Sequence, residues 1–372
     1  MVVTATEEQS LMARLRRLID TGRSDGEGNF TAAAFEYVDA ALYGREVAAL
    51  RSLPIPLMAS ASLPSQTTRL VKRLGVSLLV TRTAQGRLHV VKNRCRHRGT
   101  ELVTDERDVP PTQRLVCPYH GWCYGLDGTL LHVPERENGF PDLDPAEFAL
   151  HSVPCVEFAG MLWIGGTSEA DLRVALAPLA DEPALQDLDR ERVLDERIWP
   201  GDFNWKLGVS GFLEAYHFKV AHKTGIAPHF AWNRILIDEL GQNLRITVPR
   251  STVVKQPDLL DHGRIRSHVT FVYFVFPCSF ISILPDHASF ITFLPDGLGN
   301  TSVESHVLVP HRGDDGYWQK NAALFAQTIS EDMALAESIQ RGIVEEPTDI
   351  FTFATFEHAI AHFHRELARL AG

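Results

Sequence analysis

Two short segments of the chain each place one cysteine close to one histidine. Residues 95–99 read Cys-Arg-His-Arg-Gly, and residues 117–122 read Cys-Pro-Tyr-His-Gly-Trp. Two thiolates on one iron and two imidazoles on the other form the Rieske type of [2Fe–2S] centre, whose reduction potential lies above that of an all-cysteine cluster. The two segments therefore predict a one-electron relay. Its predicted ligands are Cys95, His97, Cys117 and His120.

A structural zinc site is the alternative, because two cysteines and two histidines also satisfy tetrahedral zinc. Zinc fingers, however, pair cysteine with cysteine and histidine with histidine, whereas each segment here mixes the two. The mixed pairing favours the iron–sulfur centre. Downstream, Asp127-Gly128 indicates a hairpin turn, so we expect both segments to be loops on a small β-sheet.

A second spacing, His217 and His222, indicates a mononuclear iron site. Two imidazoles and one carboxylate form the facial triad that binds Fe(II) and leaves positions open for oxygen. Positions five apart on a regular helix differ by about 140° around the axis, so we expect a bulge or a helix end between the two histidines. Taken alone this pair is weak evidence, but a relay cluster does no chemistry on substrate and needs an acceptor.

The missing carboxylate is predicted to be Asp332. It lies in a helix expected over residues 317–341, on an apolar stripe that faces the core. A carboxylate at such a position needs a metal or a cation. Glu331, one position off the stripe, is the second choice. The predicted stripe consists of Phe325, Ile329, Leu335, Ala336 and Ile339.

Glu214 lies three residues before His217, on the same helix face. Two roles are open to it: a hydrogen bond that orients a ligand histidine, or direct ligation as the third ligand. We favour the hydrogen bond.

Composition limits the classes of protein. A chain of 372 residues, 45% hydrophobic, suits two domains with proper cores, and its net charge of −11 argues against nucleic acid as a partner. No apolar run is long enough to cross a membrane and no signal peptide is evident, so we expect a soluble cytoplasmic protein. Five cysteines do not form a disulfide framework.

The expected fold class is α+β. We predict an N-terminal helical segment over residues 1–50, a small all-β Rieske domain over 51–166, and a larger catalytic domain over 167–372 with an antiparallel sheet flanked by helices. The catalytic domain begins after a linker at about 168–200 and opens with a helix over 204–221. Four strands are predicted at 269–276, 280–284, 290–294 and 303–309, and a last helix at 356–370.

Taken together, these motifs resemble the oxygenase (alpha) subunit of the Rieske non-haem iron ring-hydroxylating and demethylating oxygenases. The resemblance extends over most of the chain. Besides the two cluster segments it includes Asn-Trp-Lys at 204–206, Glu-x-Tyr-His at 214–217, His222, and Glu-Asp-x4-Glu-x2-Gln-Arg-Gly at 331–342. It implies the cluster and iron ligands named above and assigns the family's bridging acid, a catalytic role, to Glu214. Relatives often have Asn shortly before that acid, where this chain has residues 210–213, Ser-Gly-Phe-Leu.

The resemblance also implies the activity. An enzyme of this family uses O2 and electrons that a separate NAD(P)H-dependent reductase, with or without a ferredoxin, passes through the cluster to Fe(II). It mono- or dihydroxylates, or oxidatively demethylates, a small organic substrate. In relatives the bridging acid joins a cluster histidine of one subunit to an iron histidine of its neighbour, which implies a head-to-tail ring, most often a homotrimer. The chain has no glycine-rich nucleotide fingerprint of its own.

Substrate identity is the least determined feature. We expect an aromatic compound; the alternatives are an oxygenase acting on a quaternary ammonium substrate, which also favours aromatic walls, and a Rieske electron carrier without oxygenase activity. Six strand phenylalanines are interpreted as core rather than pocket. They are Phe271, Phe274, Phe276, Phe280, Phe290 and Phe293. A C-terminal set, His358, His362 and His364, is interpreted as part of a helix that covers the core rather than as a metal site.

Overall fold

The computed structural model describes residues 5–22, 26, 28–104, 114–261 and 265–371. The chain divides into two compact units. The larger unit contains Met1–Ile55 and Ala175–Gly372, and the smaller unit contains Pro56–Val174. Within the described residues, no helix combines the length and the apolar character that a bilayer crossing requires.

The N-terminal segment of the larger unit contains helix α1 (Ala5–Thr21), strand β1 (Phe30–Ala33) and helix α2 (Ala40–Leu50). Leu11, Leu15 and Leu18 are buried, as the spacing of an amphipathic helix requires. Helix α2 begins after Asp39, whose carboxylate accepts the Leu42 N–H as a helix cap. The two helices match the expectation for this segment, and β1 was not foreseen.

Within the described residues, the smaller unit contains three three-stranded sheets. Its strands are β2 (Ile55–Ala59), β3 (Thr67–Arg73), β4 (Val76–Arg82), β5 (Leu88–Lys92), β6 (Leu115–Val116), β7 (Cys123–Tyr124), β8 (Leu130–His132), β9 (Cys155–Phe158) and β10 (Met161–Ile164). The sheet orders are β2-β10-β9, β3-β4-β5 and β6-β7-β8. Helix α3 (Arg136–Gly139) lies between β8 and β9 in the chain. Helix α4 (Glu169–Ala180) comes after β10 and contains the boundary between the two units.

The hairpin predicted at Asp127-Gly128 is confirmed between β7 and β8. Gly128 adopts a φ of +89°, and the Asp127 carboxylate accepts the Thr129 N–H at 3.0 Å. One buried cluster, which includes Leu79, Val91, Trp122 and Tyr124, packs around Cys95 and Cys117. Both predicted ligand loops are thus anchored on the core of this unit.

The larger unit is built on a seven-stranded antiparallel sheet of order β11-β17-β16-β15-β14-β13-β12. Its strands are β11 (Arg192–Gly201), β12 (Leu236–Leu240), β13 (Asn243–Pro249), β14 (Val269–Val275), β15 (Ser279–Ile283), β16 (Ala288–Gly297) and β17 (Asn300–Val309). The four predicted strands are confirmed with small shifts of their ends. The linker predicted up to residue 200 was wrong, because β11 lies there as a partly exposed edge strand whose register shifts between Val193 and Asp195.

The helices of the larger unit flank this sheet. They are α5 (Trp205–Phe212), α6 (Phe218–Ala221), α7 (Ser251–Lys255), α8 (Asp315–Glu345) and α9 (His358–Ala371), and a short strand, β18 (Ile350–Phe353), pairs with β1. The α+β prediction is therefore confirmed. The single helix predicted over 204–221 was wrong, since five residues separate α5 from α6.

Helix α8 differs from its predicted apolar stripe. Leu335 and Ile339 are 45% and 46% exposed, so their assignment to the core face was wrong. The buried face contains Ala322, Ile329 and Ala336. Asp332 lies between the last two, at helical spacing from both, and its side chain is only 16% exposed.

Candidate metal centres

The two cysteine–histidine loops of the smaller unit repeat one backbone turn. The carbonyl of Cys95 accepts the Gly99 N–H at 2.9 Å, and the carbonyl of Cys117 accepts the Gly121 N–H at 3.0 Å. Both glycines have a left-handed φ, +82° and +72°. A side chain disfavours that conformation, so glycine is the residue that this turn requires.

The two cysteines are buried within this unit. The Tyr124 hydroxyl lies 3.3 Å from the Cys95 Sγ and accepts the Arg96 N–H at 3.0 Å. The pKa of the Cys95 thiol is raised, mainly by burial and also by the neighbouring Cys117 thiol, although the Tyr124 contact opposes this. Two neighbouring buried thiols suit iron, since a coordinated thiol is held as the thiolate.

The two histidines of these loops lie side by side. The ring centroids of His97 and His120 are 4.7 Å apart, and the His97 ring stacks on Trp122 at 5.0 Å with an interplanar angle of 7°. The Nδ1 of His97 is buried without a hydrogen-bond partner among the described residues. An unpartnered buried nitrogen is costly, and a metal bond would relieve it. The residues present therefore fit a cluster that takes two cysteines and two histidines.

The larger unit brings His217, His222 and Asp332 together, with one ligand atom from each within 4.8 Å of the others. The Asp332 Oδ1 lies 3.0 Å from the His222 Nε2 and 3.5 Å from the His217 Nε2. The His222 Nε2 is buried without a hydrogen-bond partner among the residues that the structure describes. Two imidazoles and a carboxylate that face one point are the donors of a facial iron triad.

This is the one set of three or more such ligand atoms found within 4.8 Å in the described part of the chain. The four cysteine and histidine side chains of the smaller unit do not form such a set among the described residues.

A break in the helix predicted over 204–221 positions the two histidines. Helix α6 is a single turn, with His217 as its N-cap residue and His222 as its C-cap residue. The helix end expected between them is confirmed. The Glu214 carboxylate accepts the N–H groups of Tyr216 and, at 3.2 Å, His217. These two hydrogen bonds fix the backbone between the end of α5 and the start of α6.

The Nδ1 atoms of both histidines are held by glutamates. The Glu214 Oε1 contacts the His217 Nδ1, and the Glu331 Oε2 lies 2.6 Å from the His222 Nδ1. Each ring thus offers Nε2 towards Asp332 and is fixed from behind by a carboxylate, the arrangement that orients metal-binding histidines. Burial lowers the pKa of His222, but Asp332 and Glu331 outweigh it and raise that pKa.

The Asn-Trp-Lys segment has a structural role that the sequence did not reveal. Asn204 caps α5 by accepting the Lys206 N–H, and its amide donates to the carbonyls of Tyr37 and Leu298 at 3.0 Å. The Lys206 ammonium is buried and donates to Glu46 at 2.7 Å. These contacts join the helix that precedes the histidines to the N-terminal segment.

A cavity of about 360 Å³ within the larger unit is lined in part by His217, His222 and Asp332. Ile246, Val272, Ser282 and Ser289 form one row across four neighbouring strands of its floor. Its aromatic wall residues are Phe212, Phe218, Phe230, Tyr317 and Phe325.

The six strand phenylalanines noted in the sequence are buried, and none of them lines this cavity, so their interpretation as core is confirmed. The alternation of cavity residues along β13, Ile246 and Val248 followed by Arg250, was a signal that sequence reasoning missed.

The C-terminal histidines do not form a joint site. His362 contacts the carbonyl of Gln242 at 3.1 Å and Glu239 at 3.3 Å, whereas His364 contacts the Tyr37 hydroxyl. Helix α9 covers the core, as expected.

Comparison with known proteins agrees with both centres. Residues 54–156 match the model of the Rieske [2Fe–2S] domain, and residues 187–372 match that of the ring hydroxylating alpha subunit, catalytic domain. The chain therefore belongs to the Rieske non-haem iron oxygenases, as an oxygenase alpha subunit. It carries a Rieske [2Fe–2S] cluster and a mononuclear iron, and it is an oxidoreductase rather than a stand-alone electron carrier.

Relatives can be named individually. The chain is 27% identical over 370 residues to the chloroplastic choline monooxygenase of Amaranthus tricolor, covering 91% of this chain and 77% of that protein. It is 25% identical to the carnitine monooxygenase oxygenase subunit of Escherichia coli K12, covering 80% and 81%. Its fold resembles the quaternary ammonium Rieske monooxygenase CntA, with a TM-score of 0.79 at 18% identity over 92% of this chain and 95% of that one.

Proposed function

We propose that the protein oxygenates a quaternary ammonium compound, rather than the aromatic compound expected from the sequence. The observation that carries this is the cavity beside the triad, whose walls combine aromatic rings with polar groups. A methylated ammonium group is attracted to the faces of aromatic rings. Relatives that match across most of the chain are named for choline and carnitine, which are such compounds.

The proposed ligands follow from the two geometries. Cys95, His97, Cys117 and His120 would hold the [2Fe–2S] cluster, and His217, His222 and Asp332 would hold the mononuclear iron. Support for the second set is that the three ligand atoms lie within 4.8 Å of one another while glutamates occupy the opposite nitrogens of both rings. When bound, this iron supplies the binding and reduction of O2.

The side chains around the triad have three tasks. Glu214 and Glu331 keep each imidazole in the tautomer that leaves Nε2 free for the metal. Phe218 packs against both histidines, with ring centroids 5.0 Å and 5.9 Å from theirs, and adds an apolar surface beside them. The apolar strand residues leave the substrate cation to be oriented by rings and by the few polar groups of the cavity.

The overall reaction inserts one oxygen atom of O2 into a C–H bond of the substrate and reduces the other to water, with two electrons and two protons. A separate NAD(P)H-dependent reductase, with or without a ferredoxin, would supply the electrons.

We also propose a head-to-tail homotrimer in which Glu214 is the bridging acid between subunits. The support is the family motif at 214–217 together with the contact between Glu214 and His217. Light scattering on the purified protein measures the mass of the assembly and so tests whether it is a trimer.

The test of the function uses iron-replete protein with a surrogate reductase, NADH and O2. Choline, carnitine, glycine betaine and naphthalene are supplied in parallel, and substrate-dependent oxygen uptake is followed with mass spectrometry of the products. We expect oxygenated products from at least one trimethylammonium compound and none from naphthalene. Oxidation of naphthalene alone would overturn the proposal.

A matched variant ties the activity to the proposed site. His217→Ala removes one imidazole of the triad and leaves the smaller unit unchanged. We expect it to abolish product formation while the visible absorption of the cluster persists. Full turnover by this variant would refute the iron assignment.

A further inference from the structure

Arg250, just past the end of β13, lines the cavity with a positively charged side chain that is not one of the proposed metal ligands. Ile246, Val248 and Arg250 alternate along β13 and past its end, and all three line the cavity. The Arg250 N–H donates to the carbonyl of His268 at 2.9 Å, which fixes the backbone there. The Nε of its guanidinium is buried without a hydrogen-bond partner in the described part of the chain.

A second unpartnered polar group lies on the neighbouring strand. Thr270 of β14 pairs with Val248 of β13, also lines the cavity, and is 4% exposed. Its Oγ1 is buried with no hydrogen-bond partner among the described residues. Two unsatisfied donors, one of them charged, therefore belong to residues that line the same cavity, Thr270 on β14 and Arg250 just past the end of the neighbouring strand β13.

His287 also lines the cavity, and its ring is held by neighbouring side chains. Its Nδ1 lies 2.9 Å from the Asp286 carboxylate, which also accepts the Trp318 indole N–H at 3.1 Å. Burial lowers the pKa of His287, Asp286 opposes this, and the nearby Arg250 lowers it further. The ring is thus kept neutral, and Asp286 is engaged with His287 and Trp318 rather than with Arg250.

The cavity connects Arg250 with the iron triad through aromatic rings. Phe230 forms a β-bridge with Arg250, and its ring centroid lies 6.2 Å from that of Phe218. The Phe218 ring in turn lies 5.0 Å from the ring of His217. A ligand in the cavity can therefore place a cation among the rings near the triad and an anion at Arg250.

The unsatisfied donors indicate what the ligand carries. A buried donor without a partner costs about 1–3 kcal/mol, and more when it is charged. A hydrocarbon, or a cationic alcohol such as choline, would leave the guanidinium unpaired. A carboxylate would accept charge-assisted hydrogen bonds from Arg250, which are the stronger kind.

We infer that Arg250, with Thr270, forms an anion-binding subsite that selects quaternary ammonium substrates bearing a carboxylate over those without one. This inference rests on the proposed function and deepens it by naming the substrate class. Carnitine and γ-butyrobetaine represent the selected class, and choline represents the rejected one.

The test replaces Arg250 in the iron-replete enzyme. Arg250→Gln should lower kcat/KM and the calorimetric affinity for carnitine and γ-butyrobetaine by about 10- to 100-fold, the value of a charged hydrogen bond. Its effect on choline should stay within about 3-fold. Arg250→Lys keeps the charge but loses the guanidinium fork, so its loss should be intermediate. The exposed Arg312→Gln, with the same change of charge, should alter neither substrate.

Each outcome decides something. Equal losses for carnitine and choline, or no loss for either, would overturn the subsite and leave the proposed function standing. If the wild type neither binds nor oxidises any trimethylammonium compound, the proposed function fails. Calorimetry with 4-methylpentanoate, a carboxylate without the cation, then tests the subsite separately: binding that Arg250→Gln abolishes supports it, and absence of binding overturns it. Thermal melting and cluster absorption verify that each variant is folded.

Discussion

The two units hold their proposed metal ligands in different ways. In the smaller unit all four proposed ligands lie on two loops within residues 95–120, and both loops use the same glycine turn. In the larger unit the site depends on contacts between distant segments: Glu331 supports His222 from 109 positions further along the chain. A local motif thus builds the first site, whereas the packing of α8 against the α6 region builds the second.

The two units also differ in what supports the ligand histidines. In the larger unit each ligand histidine has its own glutamate at Nδ1: Glu214 contacts His217, and Glu331 contacts His222. In the smaller unit the His97 Nδ1, which has no partner among the described residues, is the nitrogen left for the cluster, and the ring is oriented by packing on Trp122. Hydrogen bonds to carboxylates are directional and stacking is less so. Variants in the two units should therefore fail in different ways.

The largest effect is expected from Asp332→Ala. It removes the carboxylate that faces both Nε2 atoms, so the mononuclear iron should be lost and product formation should fall by at least about 100-fold, more than the 10- to 100-fold cost of losing a supporting group. Metal analysis should show two irons per chain, those of the cluster, with unchanged visible absorption.

Glu331→Gln is the matched control for this variant. It keeps the shape of the side chain behind His222 and should reduce iron affinity by no more than about 10- to 100-fold. If Glu331→Gln loses the iron and Asp332→Ala retains it, the assignment of the third ligand is wrong.

The next effect concerns stability of the larger unit. Lys206→Met leaves the Glu46 carboxylate buried without its cation, which should destabilise this unit by about 3–5 kcal/mol. Urea unfolding followed by tryptophan fluorescence measures the change. The double variant Lys206→Met with Glu46→Leu should recover most of the loss, because neither charge then remains buried. A single-variant cost below about 1 kcal/mol would contradict this role of the ion pair.

A smaller effect is expected in a cluster loop. Gly121→Ala forces a side chain into a φ of +72°, at a cost of about 1–2 kcal/mol, and its Cβ would lie 3.4 Å from the Pro134 Cγ. The temperature at which the cluster bleaches should fall. Gly44→Ala is the control: it lies within α2 with open space around it and should stabilise by about 0.5–1 kcal/mol. Equal behaviour of the two variants would show that the turn is not strained.

The smallest effect is a pH dependence in the larger unit. A hydrogen bond from His364 lowers the pKa of Glu36, against the opposing effect of burial. A carboxyl whose pKa is lower in the folded state stabilises the protein above its unfolded pKa, and that contribution is lost as the pH falls through the folded value. Between about pH 5 and about pH 3, Tm should therefore fall less in Glu36→Gln than in the wild type. The exposed Glu345→Gln should follow the wild type.

The sequence alone sufficed for features that depend on neighbouring residues. The two cysteine–histidine loops, the Asp127-Gly128 hairpin, four central strands and the helix end between His217 and His222 were all predicted. Each depends on a short motif or on a regular period, and these survive folding because backbone sterics and local hydrogen bonds act within a few residues. Asp332 was found through helical spacing, although part of its predicted stripe was wrong.

Tertiary structure alone decided the features that depend on burial. Strand β11 is too polar to be recognised before its partner β17 is known. Lys206 becomes a structural residue only when Glu46 reaches it across 160 positions. Arg250 becomes a candidate for substrate binding only because three other strands and α8 enclose it. Whether a charge is solvated or buried is a property of the surrounding fold, and the free energy of a polar group follows from those surroundings rather than from its neighbours in the chain.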